Sequence, residues 1–258
     1  MKQYTNVAIQ AARLAGHQLM KRFRHVTTQG AQRKGRHDIV THADMEANDI
    51  ILHTIRRHFP QHDFLSEETG LEDNTDTYRW TIDPLDGTVN FALQSPLFCT
   101  TLALLHQGEV LCGVIYAPFV KELYVAEAGA GAWLNGKRLR VSTTHRLSDA
   151  LVLIGRTHHP ISHRNYIMLQ RRLDQCVFNS RYLGSGSLNL AYTAVGRSDA
   201  TVMTPPGVSA WDAPAGVLMV REAGGRVTNM DGKPWHLQST GVVASNGKIH
   251  NALIRAIS

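Results

Sequence analysis

Tyr78-Arg79-Trp80-Thr81-Ile82-Asp83-Pro84-Leu85-Asp86-Gly87-Thr88-Val89-Asn90-Phe91 runs from a strand-like segment through two carboxylates and a glycine into a helix start. Its aromatic and β-branched residues from Tyr78 to Ile82 predict a strand, which Pro84 is expected to stop because proline lacks the ladder N–H. Asp83 then sits at a strand end. Pro84 pushes Asp83 toward extended geometry and Gly87 permits a tight bend, so Asp83, the Leu85 carbonyl and Asp86 can converge on one point. Three such oxygens suit Mg2+, with waters and a substrate phosphate completing the octahedron. Thr88 is expected to cap a short helix whose free N–H groups face the same point, a seat for phosphate. Asp, Pro and Gly are also ordinary turn residues, and for Asp-x-x-Asp-Gly alone a plain turn is the preferred reading.

Outward from that stretch the composition is that of a globular chain. At 258 residues, 43% of them hydrophobic, there is material for a substantial core in one domain or two closely joined halves. The longest uncharged run, 87–108, is interrupted by Asn90, Gln94, Ser95, Pro96, Thr100, Thr101 and His106, so no membrane segment is expected. Met1-Lys2-Gln3-Tyr4 lacks the apolar core of a secretory signal. Cys99, Cys112 and Cys176 are scattered among mostly apolar neighbours and read as reduced thiols, which points to the cytoplasm. Lys and Arg outnumber Asp and Glu, 27 against 21, a balance that can attract phosphorylated metabolites or nucleic acid. The basic residues are dispersed, however, and read first as a solvated surface.

In chain order, Val7, Ala8, Ala11, Ala12, Leu14, Ala15, Leu19 and Met20 recur at helical spacing up to about Phe23. A helix over 44–59 follows, for which Thr41 or Asp44 serves as N-cap. Asp63-Phe64-Leu65 predicts a short strand ending in Ser66-Glu67-Glu68, two glutamates that on their own read as solvated. Strands over 98–106, 110–116 and 122–126, with a hairpin turning at Asn135-Gly136, predict an antiparallel sheet. A second half opens at Leu151-Val152-Leu153-Ile154, with a helix over 165–173, a strand over 176–182 and a turn-to-helix at Gly184-Ser185-Gly186-Ser187. Asp212 reads as an N-cap with Pro214 in the first helical turn; strands near 226–228 and 241–244 and a helix from Lys248 complete the chain. His158, His159 and His163 have no companion Cys or carboxylate at ligand spacing and read as a solvated loop.

Five segments share one family resemblance. Asp83 to Phe91 resembles the Asp-Pro-(Ile/Leu)-Asp-Gly-Thr-x-Asn-Phe signature of the inositol monophosphatase family, magnesium-dependent and lithium-sensitive phosphomonoesterases. Lys34 to Asp44 resembles its Lys-x-x-x-Asp-x-Val-Thr-x-x-Asp segment, Ser66-Glu67-Glu68 its Gly/Ser-Glu-Glu segment, Gly184 to Tyr192 its Gly-Ser/Thr-Ala-Ala-x-x-x-Ala-Tyr turn, and Trp211 to Gly216 its Trp-Asp-x-Ala-Ala-Gly. The resemblance implies an α+β fold, a layered α-β-α-β-α sandwich. It further implies one domain over 1–258, with halves of about 1–147 and 148–258, and a homodimer.

It also implies a site. Glu67, Asp83 and the Leu85 carbonyl would hold one Mg2+, and Asp83, Asp86 and Asp212 a second, with Glu67 bridging toward a looser third. Glu67, Thr88 and Asp44 would orient a metal-bound water that attacks phosphorus directly, the Asp44 carboxylate receiving a hydrogen bond from Thr88. Asp86, Gly87, Thr88, Gly184, Ser185 and Asp212 would contact the substrate. That substrate is expected to be a small phosphorylated metabolite, inositol 1-phosphate or a related sugar phosphate; alternatives are fructose 1,6-bisphosphate, 3'-phosphoadenosine 5'-phosphate and histidinol phosphate. Inositol-selective relatives carry a glutamate shortly before Trp-Asp, whereas Met203-Thr204-Pro205-Pro206-Gly207-Val208-Ser209-Ala210 has no acid. Some bacterial relatives also act on the transcription machinery, so binding to that machinery or to RNA is a second expectation.

Overall fold

The computed structural model describes residues 1–23, 32–34, 38–40, 42–74, 77–157, 159–206 and 209–258. The expected contributions of Thr41 and His158 lie outside them. α1 (Gln3–Phe23) buries Val7, Ala8, Ala11, Ala12, Ala15, Leu19 and Phe23, the stripe its helical spacing predicts. β1 (Gln32–Lys34) and β2 (Asp38–Val40) form an antiparallel pair. α2 (His42–Arg56) begins two residues before the expected start, so Asp44 lies in its first turn. β3 (Asp63–Ser66), β4 (Gly70–Glu72) and β5 (Tyr78–Asp86) lead into α3 (Thr88–Ala92). β6 (Cys99–His106), β7 (Glu109–Ala117), β8 (Glu122–Glu127), β9 (Gly131–Leu134) and β10 (Lys137–Arg138) follow as antiparallel neighbours.

The second half supplies β11 (Leu151–Gly155), α4 (Pro160–Leu173), β12 (Asn179–Arg181), α5 (Gly186–Ala194), β13 (Ala200–Met203), α6 (Pro214–Glu222), β14 (Arg226–Thr228), β15 (Val242–Ser245) and α7 (His250–Ile257). Two expectations shift here. α4 starts at Pro160, not near residue 165, because proline fits the first helical position and the His159 ring accepts a bond from the Ile161 amide at 3.2 Å. His159 and the exposed His163 therefore belong to a helix and its cap. The strand expected over 176–182 shrinks to β12, since the Cys176 and Val177 amides both close onto the Leu173 carbonyl and prolong the helix end.

Two sheets result. One has the order β10-β9-β8-β7-β6-β5-β3-β4, antiparallel except where β3 runs parallel to β5. The other has the order β12-β11-β13-β15-β14 and is mixed. α1 and α2 cover the outer face of the first sheet, around Phe64, Trp80, Ile82 and Leu102. α5 and α6 fill the space between the sheets, and α4 and α7 cover the outer face of the second, around Val152, Val202 and Leu253. The expected α-β-α-β-α order of layers is present. α6 lies close against β7: a Cβ at Gly113 would stand 2.7 Å from the Ala215 Cα, so glycine permits the approach. Cys99, Cys112 and Cys176 are free thiols, and among the described residues no helix is long and apolar enough to cross a membrane.

A buried histidine joins α7 to the second sheet. His250, fully buried at the start of α7, bonds Ser245 through Nδ1 at 2.8 Å and Thr228 through Nε2 at 3.0 Å. Burial, with Arg226 nearby, pushes its pKa down from 6.5 to about 4. Because the folded pKa is depressed, the neutral ring's stabilisation is complete above the unfolded pKa and is lost as pH falls from about 6.5 toward 4. The full span is worth about 3 kcal/mol. The urea midpoint of the wild type should therefore fall between pH 7 and pH 4.5 by more than that of His250→Gln; equal falls would show that His250 does not carry the acid sensitivity.

Candidate active site

β5 does not stop at Pro84, as the sequence predicts; it continues to Asp86. Its pairing with β6 slips between Asp83, opposite Thr101, and Asp86, opposite Cys99, so Pro84 occupies a bulge where no ladder N–H is required. The Thr100 hydroxyl holds the Pro84 carbonyl at 2.8 Å, and the Asp83 Oδ1 accepts the Leu85 amide at 2.9 Å. The bulge turns Asp83, the Leu85 carbonyl and Asp86 into one cavity of about 440 Å³. Gly87, with φ 95°, follows in the left-handed region and is itself the N-cap of α3, with Thr88 the first helical residue. The Thr88 hydroxyl therefore does not cap; it donates to the Leu85 carbonyl at 3.0 Å. That single proton goes to Leu85 instead of Asp44, the partner expected for it.

Glu67, Asp83, Leu85, Asp86, Gly87, Thr88, Gly184, Ser185 and Asp212 all line this cavity. Asp44 lies behind it, buried in α2, close enough for its charge to act on Asp83. Carboxylate oxygens of Glu67, Asp83 and Asp212 come within 4.8 Å of one another. Asp212 reaches them from the residue before the α6 N-cap, which is Ala213, and so is not the cap its sequence suggests. Asp86 faces differently. Its Oδ2 accepts the Ser185 hydroxyl at 2.7 Å and the Ser187 amide at 2.6 Å, and its Oδ1 accepts the Gly186 amide at 3.2 Å. It thus binds the start of α5, whose positive end favours an anion.

Burial first, then the charges of Glu67, Asp86, Asp212 and Asp44, push the Asp83 carboxyl well above the usual carboxylate range. Burial likewise raises Asp212, reinforced by Asp86 and Glu67 and opposed by bonds from Ser209. Asp86 is raised by burial and pulled back by its bonds from Ser185, Ser187 and Gly186. Among the described residues no basic side chain pairs with Asp83 or Asp212. Clustered carboxylate oxygens of this kind, with Asp83 buried among them, fit a hard divalent cation, whose charge removes the mutual repulsion.

Several contributors carry no role in the sequence reading, and Ser185 has one beyond the substrate contact expected of it. Asn90 donates to both the Leu97 and Leu183 carbonyls, at 2.7 and 2.8 Å, and ties α3 to the turn before α5. Ser185 caps α5 while holding Asp86, and the Ser187 hydroxyl holds the Asp212 carbonyl at 3.0 Å. Serines at a helix start opposite an acidic turn were the available signal. Arg156, Thr157 and Tyr182 also line the cavity, and nothing local in the sequence marks them.

The profile of the inositol monophosphatase family matches residues 1–258. Inositol-1-monophosphatase of Mesorhizobium japonicum is 42% identical over 254 residues, 98% of this chain and 95% of the relative. Nus factor SuhB of Escherichia coli is 37% identical over 259 residues, with 98% and 95% covered. The crystal structure of extragenic suppressor protein suhB from Bartonella henselae superposes with a TM-score of 0.93 at 38% identity, covering 100% of this chain and 99% of that one.

Proposed function

The chain belongs to the inositol monophosphatase family and is a metal-dependent phosphatase, and we propose that it is a Mg2+-dependent phosphomonoesterase acting on a small phosphorylated alcohol, inositol 1-phosphate or a related sugar phosphate. The observation that carries this reading is the meeting of Glu67, Asp83 and Asp212 oxygens within 4.8 Å in a cavity large enough for such a metabolite. Glu67, Asp83 and the Leu85 carbonyl would hold one Mg2+, and Asp83, Asp86 and Asp212 another. When bound, Mg2+ supplies positive charge to the phosphoryl oxygens and makes water a better nucleophile near neutral pH.

The chain's own groups do the rest. Glu67 and Thr88 orient the attacking water; with its proton on the Leu85 carbonyl, the Thr88 oxygen presents lone pairs that accept from that water. Asp44, behind Asp83, is a positioning residue. The amides of Gly87 and Thr88, at the start of α3, receive phosphate oxygens. Gly184, Ser185, Asp86 and Asp212 border the alcohol part. The halves of about 1–147 and 148–258 work as one unit, because Glu67, Asp83 and Asp86 come from the first and Asp212 from the second. Lithium sensitivity, a homodimer and a cytoplasmic location complete the reading.

The test is phosphate release with Mg2+ from inositol 1-phosphate, fructose 1,6-bisphosphate, 3'-phosphoadenosine 5'-phosphate and histidinol phosphate. Release that stops with a chelator and returns with Mg2+ is the expected result. Silence across the panel, from folded protein that binds Mg2+, overturns these substrates. A second reading, binding to the transcription machinery, is favoured by the 37% identity to a protein named Nus factor. Capture of that machinery by wild type and Asp83→Asn alike would support it, and no capture by either would remove it.

A further inference from the structure

The cavity that holds the carboxylates also has one cation in its lining among the described residues. Arg156, half-buried in the segment after β11, is the sole basic side chain among the described residues that line it. Its guanidinium carbon lies 5.2 Å from the centre of the Tyr182 ring and 5.7 Å from that of Tyr166, rings that themselves meet edge to face at 5.7 Å. One of its N–H groups reaches the Thr157 carbonyl at 3.3 Å. Among the described residues no carboxylate pairs with it.

This arrangement differs from an arginine on a solvated surface. Aromatic rings against a guanidinium fix its plane without engaging the donors at its edge. Those donors form a fork that matches carboxylate or phosphate oxygens. Tyr182 lines the same cavity as Arg156 and Asp86. Arg156 and the proposed phosphate seat at Gly87 and Thr88 line this one cavity of about 440 Å³, so a single small metabolite can reach both. Neither Thr157 nor the Met203 and Thr204 wall adds an acid to repel a second negative group.

Resting on the phosphatase reading, we infer that Arg156 forms an anion subsite, and that the preferred substrate is a phosphomonoester bearing a second anionic group, carboxylate or phosphate, on its alcohol part. A phosphomonoester whose alcohol part is uncharged would leave the fork unmatched, and a site built to bond a group discriminates against the analogue lacking it. Arg156 is a specificity-determining residue in this assignment and takes no part in the bond cleavage.

The experiment measures kcat and KM with Mg2+ for two matched pairs: fructose 1,6-bisphosphate against fructose 1-phosphate, and 3-phosphoglycerate against glycerol 3-phosphate. The first pair tests a second phosphate and the second a carboxylate. Wild type should favour the member bearing the second anionic group, in at least one pair, by about 10-fold or more in kcat/KM, mostly through KM. Arg156→Gln should bring the two members of the pair to within about threefold of each other and leave the member without the second anionic group within about threefold of its wild-type kcat/KM. Arg156→Lys, which keeps the charge without the fork, should lie between, and it serves as the folded comparison if the glutamine variant melts early. Equal turnover of both members by wild type, or an equal loss on both in Arg156→Gln, overturns the subsite alone. Absence of release from every ester overturns the phosphatase reading together with it.

Discussion

Asp83→Asn should lower kcat/KM by about 10³-fold and, in metal-free protein, raise stability by about 1–3 kcal/mol. The two effects have one source. Asp83 is 2% exposed, and Glu67, Asp86, Asp212 and Asp44 all act on it, so its ionised form is held at a cost that only a bound cation offsets. Its folded-state pKa lies above the unfolded one. The folded chain therefore holds the proton more tightly, and the metal-free protein loses stability as pH rises from the ordinary carboxylate range through that raised pKa. Asparagine preserves the oxygen that accepts the Leu85 amide, supplies an N–H₂ group toward the neighbouring carboxylates, and carries no charge. Thermal melts with and without Mg2+ separate the contributions. Wild type should gain stability on adding the ion, by mass action, and Asp83→Asn should gain little. Unchanged turnover, or an undiminished Mg2+ shift in the variant, would remove Asp83 from the metal site.

Periodicity made the long elements legible: α1 fills its apolar stripe as spaced, and β6, β7 and β8 fall within a residue or so of their expected limits. The three-residue β4 and the strand β13 went unread, the first because it is too short for alternation to register. β13 is a uniformly buried Ala200-Thr201-Val202-Met203, whose order comes from β11 on one side and β15 on the other. Its signal is non-local. Pro84 misled for the opposite reason, since a local rule about ladder N–H groups does not anticipate a bulge, and the bulge exists because β6 supplies Thr100 to hold it.

The candidate site follows the same division. Motif resemblance pointed to ten residues for one site, and nine of them line one cavity. How each is used depends on partners distant in sequence. Asp86 faces the α5 start because Ser185, Gly186 and Ser187 arrive from the other half of the chain, and Thr88 gives its proton to Leu85 because the bulge brings that carbonyl within reach. Arg156 is the extreme case: its meaning lies in Tyr166 and Tyr182, which only the fold brings to it.

Gly87→Ala should both destabilise the protein, by about 2–4 kcal/mol, and reduce kcat/KM by about 100-fold or more. At φ 95° the alanine backbone is strained, and its Cβ would stand 2.7 Å from the Leu97 carbonyl oxygen and 3.2 Å from the Phe98 Cα. Both obstacles are backbone, and they cannot rotate away. Relief requires moving either the 97–98 segment, which leads into β6, or the start of α3. The first movement disturbs the Asn90 bond to Leu97 and the register that forms the bulge. The second swings the amides proposed to receive phosphate, along with the Thr88 hydroxyl proposed to orient water. Either way the active site moves with the fold. Mg2+ affinity should fall less than turnover, because of the proposed ligands only Leu85 and Asp86 adjoin the bend, whereas Glu67, Asp83 and Asp212 are held elsewhere; the comparison is a Mg2+ titration of thermal stability beside kcat/KM in the same variant. A variant as stable and as active as wild type would show that the bend at Gly87 is not what couples the strand to the site.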